Sequence, residues 1–302
     1  MQHYFSLNEY YQQEYGKKVY KLSISAGLSC PNRDGVCGTR GCIFCSRGGS
    51  GEFAADAALP IAEQLEQAKA RIASKTRDNA YIAYFQPFSN TYGNVGYLQK
   101  IYYEAIAPLE IVGLSIATRP DCLPDEVIDL LSELNRIKPV TVELGLQTIH
   151  PAIAAYIRRG YDLSVYDEAV KKLHAADIEV VTHIILGLPG ESPDMMLETV
   201  RYAGRVSDGV KLQLLHVLRD TDLADDYAAG RFKVLTLEEY VDILCRAIEA
   251  LPPHVVIHRL TGDGDKRSLI APLWSADKKR VLNTVKQAMD SRNVMQGKHQ
   301  NN

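Results

Sequence analysis

Four of the chain's six cysteines, Cys30, Cys37, Cys42 and Cys45, fall within sixteen positions of the stretch LSCPNRDGVCGTRGCIFCSRGG, separated by six, four and two residues. A Cys-x-x-Cys pair such as Cys42 and Cys45 lets one turn aim two thiolates at the same metal. One reading is a four-thiolate structural zinc site, although such sites commonly pair two close knuckles and only one is present. On that reading the protein is a zinc-stabilised barrel serving as a binding or scaffold module. The other reading is a [4Fe–4S] cluster held on three irons by three thiolates, with the fourth iron open to a ligand. A loop that binds no metal is the plainest alternative.

Further polar residues interrupt apolar runs. In VELGLQT, Glu143 and Gln147 are evenly spaced, which in a strand puts both on one face. An ionisable group among apolar strand neighbours is costly unless partnered, so an inward Glu143 would mark a site. YFQPFSNTYG offers Gln86, Ser89, Asn90, Thr91 and Tyr92, or merely turn chemistry. In ATRPD, Arg119 could neutralise a carboxylate or pair with Asp121. HIILGLPGES brings His183 and a glycine-bearing loop through Leu188, where backbone amides could approach a ligand. His216 and Arg219 in LHVLRDTDL, and His258, Arg259 and Asp263 in HRLTGDG, flank the last apolar runs as candidates for substrate recognition. Packing of a C-terminal appendage would explain them equally. Cys122 and Cys245 read as ordinary small residues.

These residues must be positioned by a regular scaffold. Short β-branched runs at 19–25, 80–86, 111–118, 140–147, 179–188 and 210–217 alternate with amphipathic stretches near 59–75, 94–106, 124–135, 164–176, 193–206 and 236–250. Six strand–helix units in succession predict a parallel α/β sheet curled into a partial (β/α)6 TIM-like barrel. The cysteines then follow the first strand, at the strand ends where barrel active sites lie. The expected organisation is an N-terminal extension over 1–18, the barrel over 19–252, an appendage over 253–290 and a mobile tail over 291–302. With 302 residues, 46% hydrophobic and 24% charged, one large domain is expected. The formal charge of −3 argues against a generic nucleic-acid coat. The aromatic, polar N-terminus does not read as a secretory signal, so a cytoplasmic protein is expected, where clustered thiols more often serve metals than disulfides.

The order of motifs resembles the radical S-adenosylmethionine (SAM) superfamily, in particular a bacterial branch with the signature CPNRDG...GGCIFC, present here as CPNRDG and GCIFC. That branch is distantly related to the radical-SAM domain of the elongator acetyltransferase subunit. The likeness runs from CPNRDG through YFQPFSNTY, GLSIATRPDCLPDE, ELGLQT, RRGYD, HIILGLPGE and LQLLHVL to HRLTGDG and LIAPLW. It implies that Cys30, Cys42 and Cys45 hold a [4Fe–4S] cluster, with Cys37 at a position the family does not require. It implies that Phe44 approaches adenine, and that Gln86, Asn90 and Thr91 stand where the superfamily binds the SAM amino group. It also implies that Gln147 meets the ribose, that Arg159 meets the SAM carboxylate, and that the stretch around Leu188 lines the adenosine. Glu143 and His183 join the cofactor set, His183 as a candidate ribose contact. The elongator relative has Glu where Ala117 stands, so a ribose-binding carboxylate does not carry over there. The implied activity is cleavage of SAM into methionine and a 5′-deoxyadenosyl radical, fed by an electron donor such as flavodoxin or ferredoxin. The implied substrate is the wobble-uridine side chain of tRNA, taken from carboxymethylaminomethyl to aminomethyl, as the elongator relative also acts on that uridine. Lys266, Arg267, Lys278, Lys279 and Arg280 are candidate phosphate contacts.

Overall fold

The computed structural model describes residues 2–49, 51, 54–76, 79–262, 264 and 266–299. In chain order the elements are α1 (Leu7–Tyr15), β1 (Tyr20–Ile24), α2 (Ile61–Ile72), β2 (Tyr81–Phe85), α3 (Val95–Ile106), β3 (Ile111–Thr118), α4 (Asp125–Asn135), β4 (Val140–Gln147), α5 (Pro151–Tyr156) and α6 (Leu163–Ala175). There follow β5 (Glu179–Leu186), α7 (Pro193–Val206), β6 (Gly209–Leu214), β7 (Val217–Leu218), α8 (Asp222–Ala228), α9 (Leu237–Ala250), β8 (Val256–Arg259), β9 (Leu269–Ala271) and α10 (Lys278–Arg292).

One seven-stranded sheet runs in the order β1-β2-β3-β4-β5-β6-β8, with every neighbouring pair parallel. The long connections between these strands carry helices, and a continuous apolar core joins them to the sheet. The helices start where the sequence supplies caps: Asn94 on α3, Ser192 with Pro193 on α7, and a Thr236–Glu239 capping box on α9. The result is the expected partial TIM-like barrel, with one strand more than the six units read from the sequence. The extra strand, β8, comes from the segment expected to form the appendage. Its run Val255, Val256, Ile257 is short and β-branched, and α9 provides the crossover that a parallel neighbour of β6 needs. The N-terminal extension also joins the barrel, because Ser6 bridges Ile257 and the amide of Ile257 donates to the Phe5 carbonyl at 2.9 Å.

The expected mobile tail is corrected as far as the described residues run. Val294 is 1% exposed, and its carbonyl meets His3 Nδ1 at 2.8 Å. Gln296 donates from Nε2 to the carbonyls of Pro252 (2.6 Å) and Val255 (2.8 Å), while its Oε1 accepts from the Phe5 amide at 2.8 Å. These backbone groups would otherwise be buried without partners, which is why a polar-looking tail folds back. Replacing Gln296 with Ala should lower the free energy of unfolding by about 1–3 kcal/mol, since buried polar groups lose their partners. Urea titration of both proteins checks this, and an unchanged midpoint would mean the clasp contributes nothing.

Candidate active site

The cysteines lie on the loop between β1 and α2, and short-range bonds set its shape. The Cys45 amide donates to the Cys42 carbonyl at 3.0 Å, closing the Cys-x-x-Cys turn, and the Arg33 amide donates to the Cys30 carbonyl at 2.8 Å. Buried Asn32 donates from Nδ2 to Cys42 Sγ at 3.3 Å and to the Arg158 carbonyl at 2.7 Å, so one side chain ties the loop to the segment after α5. Ile43 anchors the turn in a small apolar cluster with Ile153, Ile157, Ile185, Leu188 and Leu215. Cys30, Cys42 and Cys45 line one cleft of about 240 Å3, whereas Cys37 is exposed and does not. Burial, then the neighbouring Cys45 sulfur and more weakly Cys30, push the Cys42 thiol up to about 12. Three thiols within electrostatic range give a donor set that a cationic cluster would draw into thiolate form. Among the described residues, no three His, Cys, Asp or Glu side chains are placed to hold one metal ion. A four-thiolate zinc site would need Cys37 beside the other three, and it is the exposed cysteine that does not line their cleft. The other three are compatible with thiolates that each bind a different iron of a cluster.

At the other end of the cleft lies a belt of polar side chains, one from each of six consecutive strands. Glu143 on β4 is 0% exposed. Its Oε1 meets Lys21 Nζ of β1 at 2.6 Å and accepts from Ser115 Oγ of β3 at 2.9 Å. Its Oε2 accepts from Tyr84 Oη of β2 and His183 Nε2 of β5, both at 2.8 Å, and pairs with Lys211 Nζ of β6. Burial opposes ionisation of Glu143, but Lys21 and Lys211 outweigh it and hold the carboxyl well below its usual range. Gln213 Nε2 approaches His183 Nδ1 at 3.3 Å, which leaves the imidazole neutral with its proton on Nε2. Burial and then the charge of Lys211 pull His183 down to about 4, in accord with that tautomer.

Above the belt, β4 does not continue straight. A bulge falls between Gly145 and Gln147, and Gln147 takes φ 66°. Even spacing therefore did not decide where Gln147 points. It nonetheless lines the cleft because its amide lies back over Gly145, where a Cβ would come within 2.9 Å of Nε2. Arg159 is buried at the rim, donating to the carbonyls of Thr148 (2.6 Å), Leu146 (3.3 Å) and Tyr161 (3.0 Å). Arg119 holds Asp121 through Nε (2.9 Å) and Nη2 (2.6 Å), and its Nη1 donates to the Arg159 carbonyl at 2.8 Å. Both guanidinium groups stack on Tyr161, at 4.8 Å for Arg159 and 5.0 Å for Arg119. Asp121 pairs with Arg119 and the charge of Asp162 reaches Arg159, so both guanidinium groups beside the cysteines are held among acids of this chain.

Of the residues singled out from the sequence, Cys30, Cys42, Cys45, Phe44, Gln86, Glu143, Gln147, Arg159, His183, His216 and Arg259 line the cleft. Others face elsewhere. Asn90 spends its amide on the carbonyls of Phe85 (3.0 Å) and Ala117 (2.8 Å), tying β2 to β3. Thr91 bonds Thr118 Oγ1 at 2.6 Å and the Cys122 carbonyl at 2.5 Å. Both brace the loop from behind, as turn chemistry would. Leu188 is buried in the apolar cluster beneath the cysteine turn, and Arg219 is exposed outside the cleft. His258 sits below the belt against Gly209, and Asp263 is outside the described residues. Sequence reading missed Asn32, Lys21, Tyr84, Ser115, Tyr161, Lys211 and Gln213. For Lys211 and Gln213 the signal was present: alternating polar residues in the apolar run VKLQLL, the same anomaly that marked Glu143.

A curled parallel sheet with three cysteines lining one cleft at its strand ends is the arrangement that the resemblance to the radical SAM superfamily implies. Residues 35–203 match the Radical SAM superfamily, and residues 207–291 match the Radical_SAM C-terminal domain. The chain is 42% identical to the uncharacterized protein YtqA of Bacillus subtilis over 98% of this chain and 92% of that one. It is 38% identical to Protein YhcC of Escherichia coli over 87% and 84% of the two chains. Elongator complex protein 3 of Schizosaccharomyces pombe is 30% identical over 55% of this chain and 30% of its own length. A solved structure of the archaeal Methanocaldococcus infernus Elp3 shares the fold, with TM-score 0.71 at 18% identity over 92% of this chain and 64% of that one. The chain belongs to the radical SAM superfamily and is an enzyme whose cofactors are a [4Fe–4S] cluster and SAM. No helix among the described residues is long and apolar enough to cross a membrane.

Two outcomes follow from the geometry. After anaerobic reconstitution, Cys37→Ser should keep the full iron content while Cys42→Ser loses it; equal loss in both would place Cys37 among the ligands. Glu143→Gln should destabilise the protein by about 3–5 kcal/mol, because two buried ammonium groups lose their counter-charge. Because the folded pKa of Glu143 is depressed, its contribution is complete above the unfolded value of about 4.3 and fades as pH falls through the folded one. Acid titration of stability should therefore show a shallower loss below about pH 4 in the variant than in the wild type.

Proposed function

We propose that the enzyme acts on the wobble-uridine side chain of tRNA, converting carboxymethylaminomethyl to aminomethyl: SAM would serve as the two-electron oxidant, ending as methionine and 5′-deoxyadenosine, and water would release the carboxymethyl carbons as glyoxylate. When bound, the cluster and SAM supply a one-electron cleavage that yields a radical able to take hydrogen from an unactivated C–H bond. In this reading Cys30, Cys42 and Cys45 hold the cluster, and Asn32 orients the Cys42 sulfur. Arg159 with Arg119 receives the SAM carboxylate, Gln147 the ribose, and Phe44 packs by the adenine. Superfamily enzymes need an electron donor, and flavodoxin or ferredoxin would supply it to the cluster from the loop side.

The observation that carries the RNA substrate is a surface groove of about 520 Å3 lined by Lys266, Lys278, Lys279 and Arg280 beside Trp274. Lys266 of the groove lies two positions along the chain from Gly264, which lines the cleft. Basic side chains around an aromatic suit a phosphodiester backbone presenting one extruded base to a recess. The likeness to Elongator complex protein 3 points the same way. In tRNA from a strain lacking the gene, mass spectrometry should find the carboxymethylaminomethyl nucleoside accumulated and the aminomethyl nucleoside and its derivatives depleted. An unchanged nucleoside profile would sink the tRNA reading and leave the radical SAM assignment intact.

A further inference from the structure

Asn32 touches the Cys42 sulfur from behind the cleft. It is 4% exposed and does not line the cleft. Its Nδ2 lies 2.7 Å from the Arg158 carbonyl and 3.4 Å from the Arg159 carbonyl, with Cys42 Sγ at 3.3 Å. Cys42 Sγ also approaches the Arg158 carbonyl, at 3.7 Å, to which a thiol can donate. A cysteine that ligates iron has lost its proton and can only accept. Of these two neighbours the carbonyl then offers the sulfur nothing, whereas the Asn32 N–H becomes a hydrogen bond to an anionic acceptor.

Two distant segments build this contact. The Asn32 carbonyl accepts from the Gly41 amide at 2.7 Å, which fixes its backbone within the cysteine loop. Opposite, Gly160 takes φ 83°, and a Cβ there would come within 2.7 Å of Asn32 Oδ1. Only a residue without a side chain, in a left-handed conformation, admits the amide at this place. The carbonyls of Arg158 and Arg159, which precede Gly160, then fix the orientation of that amide, since a flip would set Oδ1 against them. The N–H on the sulfur is therefore specified by the chain.

We propose that Asn32 tunes the reduction potential of the cluster, its N–H on Cys42 Sγ stabilising the reduced state. The inference rests on the reading that Cys42 is a cluster ligand. One-electron reduction leaves a cluster and its thiolates more negative, and a buried donor gains most against the more negative acceptor. Hydrogen bonds to the sulfurs are among the levers that set such potentials. Asn32 is thus a positioning residue that acts through Cys42 and touches neither the nucleoside nor the substrate. Its effect is to make the cluster easier for an electron donor to reduce.

The test uses the anaerobically reconstituted protein without SAM, titrated with dithionite while the EPR signal of the reduced cluster is recorded. Asn32→Leu removes the donor and fills its place. Reduction should then be about tenfold less favourable than in the wild type, which for one electron is a midpoint about 59 mV more negative. Gly160→Ala, which presses on the Asn32 amide, should move the midpoint the same way by less, and covers the case in which Asn32→Leu assembles no cluster. A merely structural Asn32 would lower iron content and leave the potential of the assembled clusters where it was. Equal midpoints in the wild type and Asn32→Leu, or in Gly160→Ala where Asn32→Leu does not assemble, overturn the proposal. A further measurement needs no variant: wild-type protein carrying asparagine labelled with 15N in its side chain should show 15N hyperfine coupling to the reduced cluster in pulsed EPR. Absence of that coupling overturns the proposal equally. If the wild type takes up no cluster at all, the iron–sulfur reading itself fails, an outcome distinct from an unshifted potential.

Discussion

The buried carboxylate of Glu143 is the constraint on which the rest of the barrel interior depends. It accepts from side chains on five other strands, so β1 through β6 converge on two oxygens. Side chains alternate between the faces of a strand, so a one-residue slip anywhere in this sheet would turn a belt residue out of the interior. The ion cluster thus sets register across six strands at once. An apolar layer of similar volume could stabilise as well or better, because desolvating charges offsets much of their attraction. What apolar side chains would not supply is a fixed direction for each polar group at the cleft floor.

The cysteine loop depends on that registered sheet indirectly. Its anchors are Asn32, reaching the Arg158 carbonyl, and Ile43, packed among residues of α5, β5 and the end of β6. Arg119 then links the third strand to the same segment by donating to the Arg159 carbonyl. The loop is therefore positioned by contacts from the opposite side of the half barrel more than by the strand it follows. Backbone carbonyls of β4 and the following turn fix Arg159, and Asp121 fixes Arg119, so the two guanidinium groups are held in place without a ligand.

The strand–helix rhythm was legible because parallel strands and their crossovers leave strong periodic signals, and the observed elements fall within a few residues of the expected ones. β8 was misjudged because an edge strand of four residues carries a weak pattern and lies next to glycine-rich, charged sequence. The tail was misjudged for a related reason: Gln296 reads as solvent-facing, and only tertiary structure shows which buried carbonyls it serves. Site residues followed the same divide. Cysteine spacing and an acid inside an apolar strand are local anomalies that a sequence displays. Asn90, Thr91 and Leu188 lie in the right loops but face away, since motif position does not determine side-chain direction where the chain turns.

Between the polar floor and the rim, the interior layer is made of small or folded-back groups. Ala117 on β3 is the register partner of Glu143, and Gly145 follows Glu143 on the same face of β4. A Cβ at Gly145 would collide with the Gln147 amide, and the bulge that follows is what allows that amide to lie back along its own strand. Larger residues at these two positions would fill the space between the polar floor and the rim. Cavity and bulge are thus consequences of one arrangement. The belt sets the floor, the absence of side-chain bulk above it makes room, and the cysteine loop with its paired arginines forms the opposite wall.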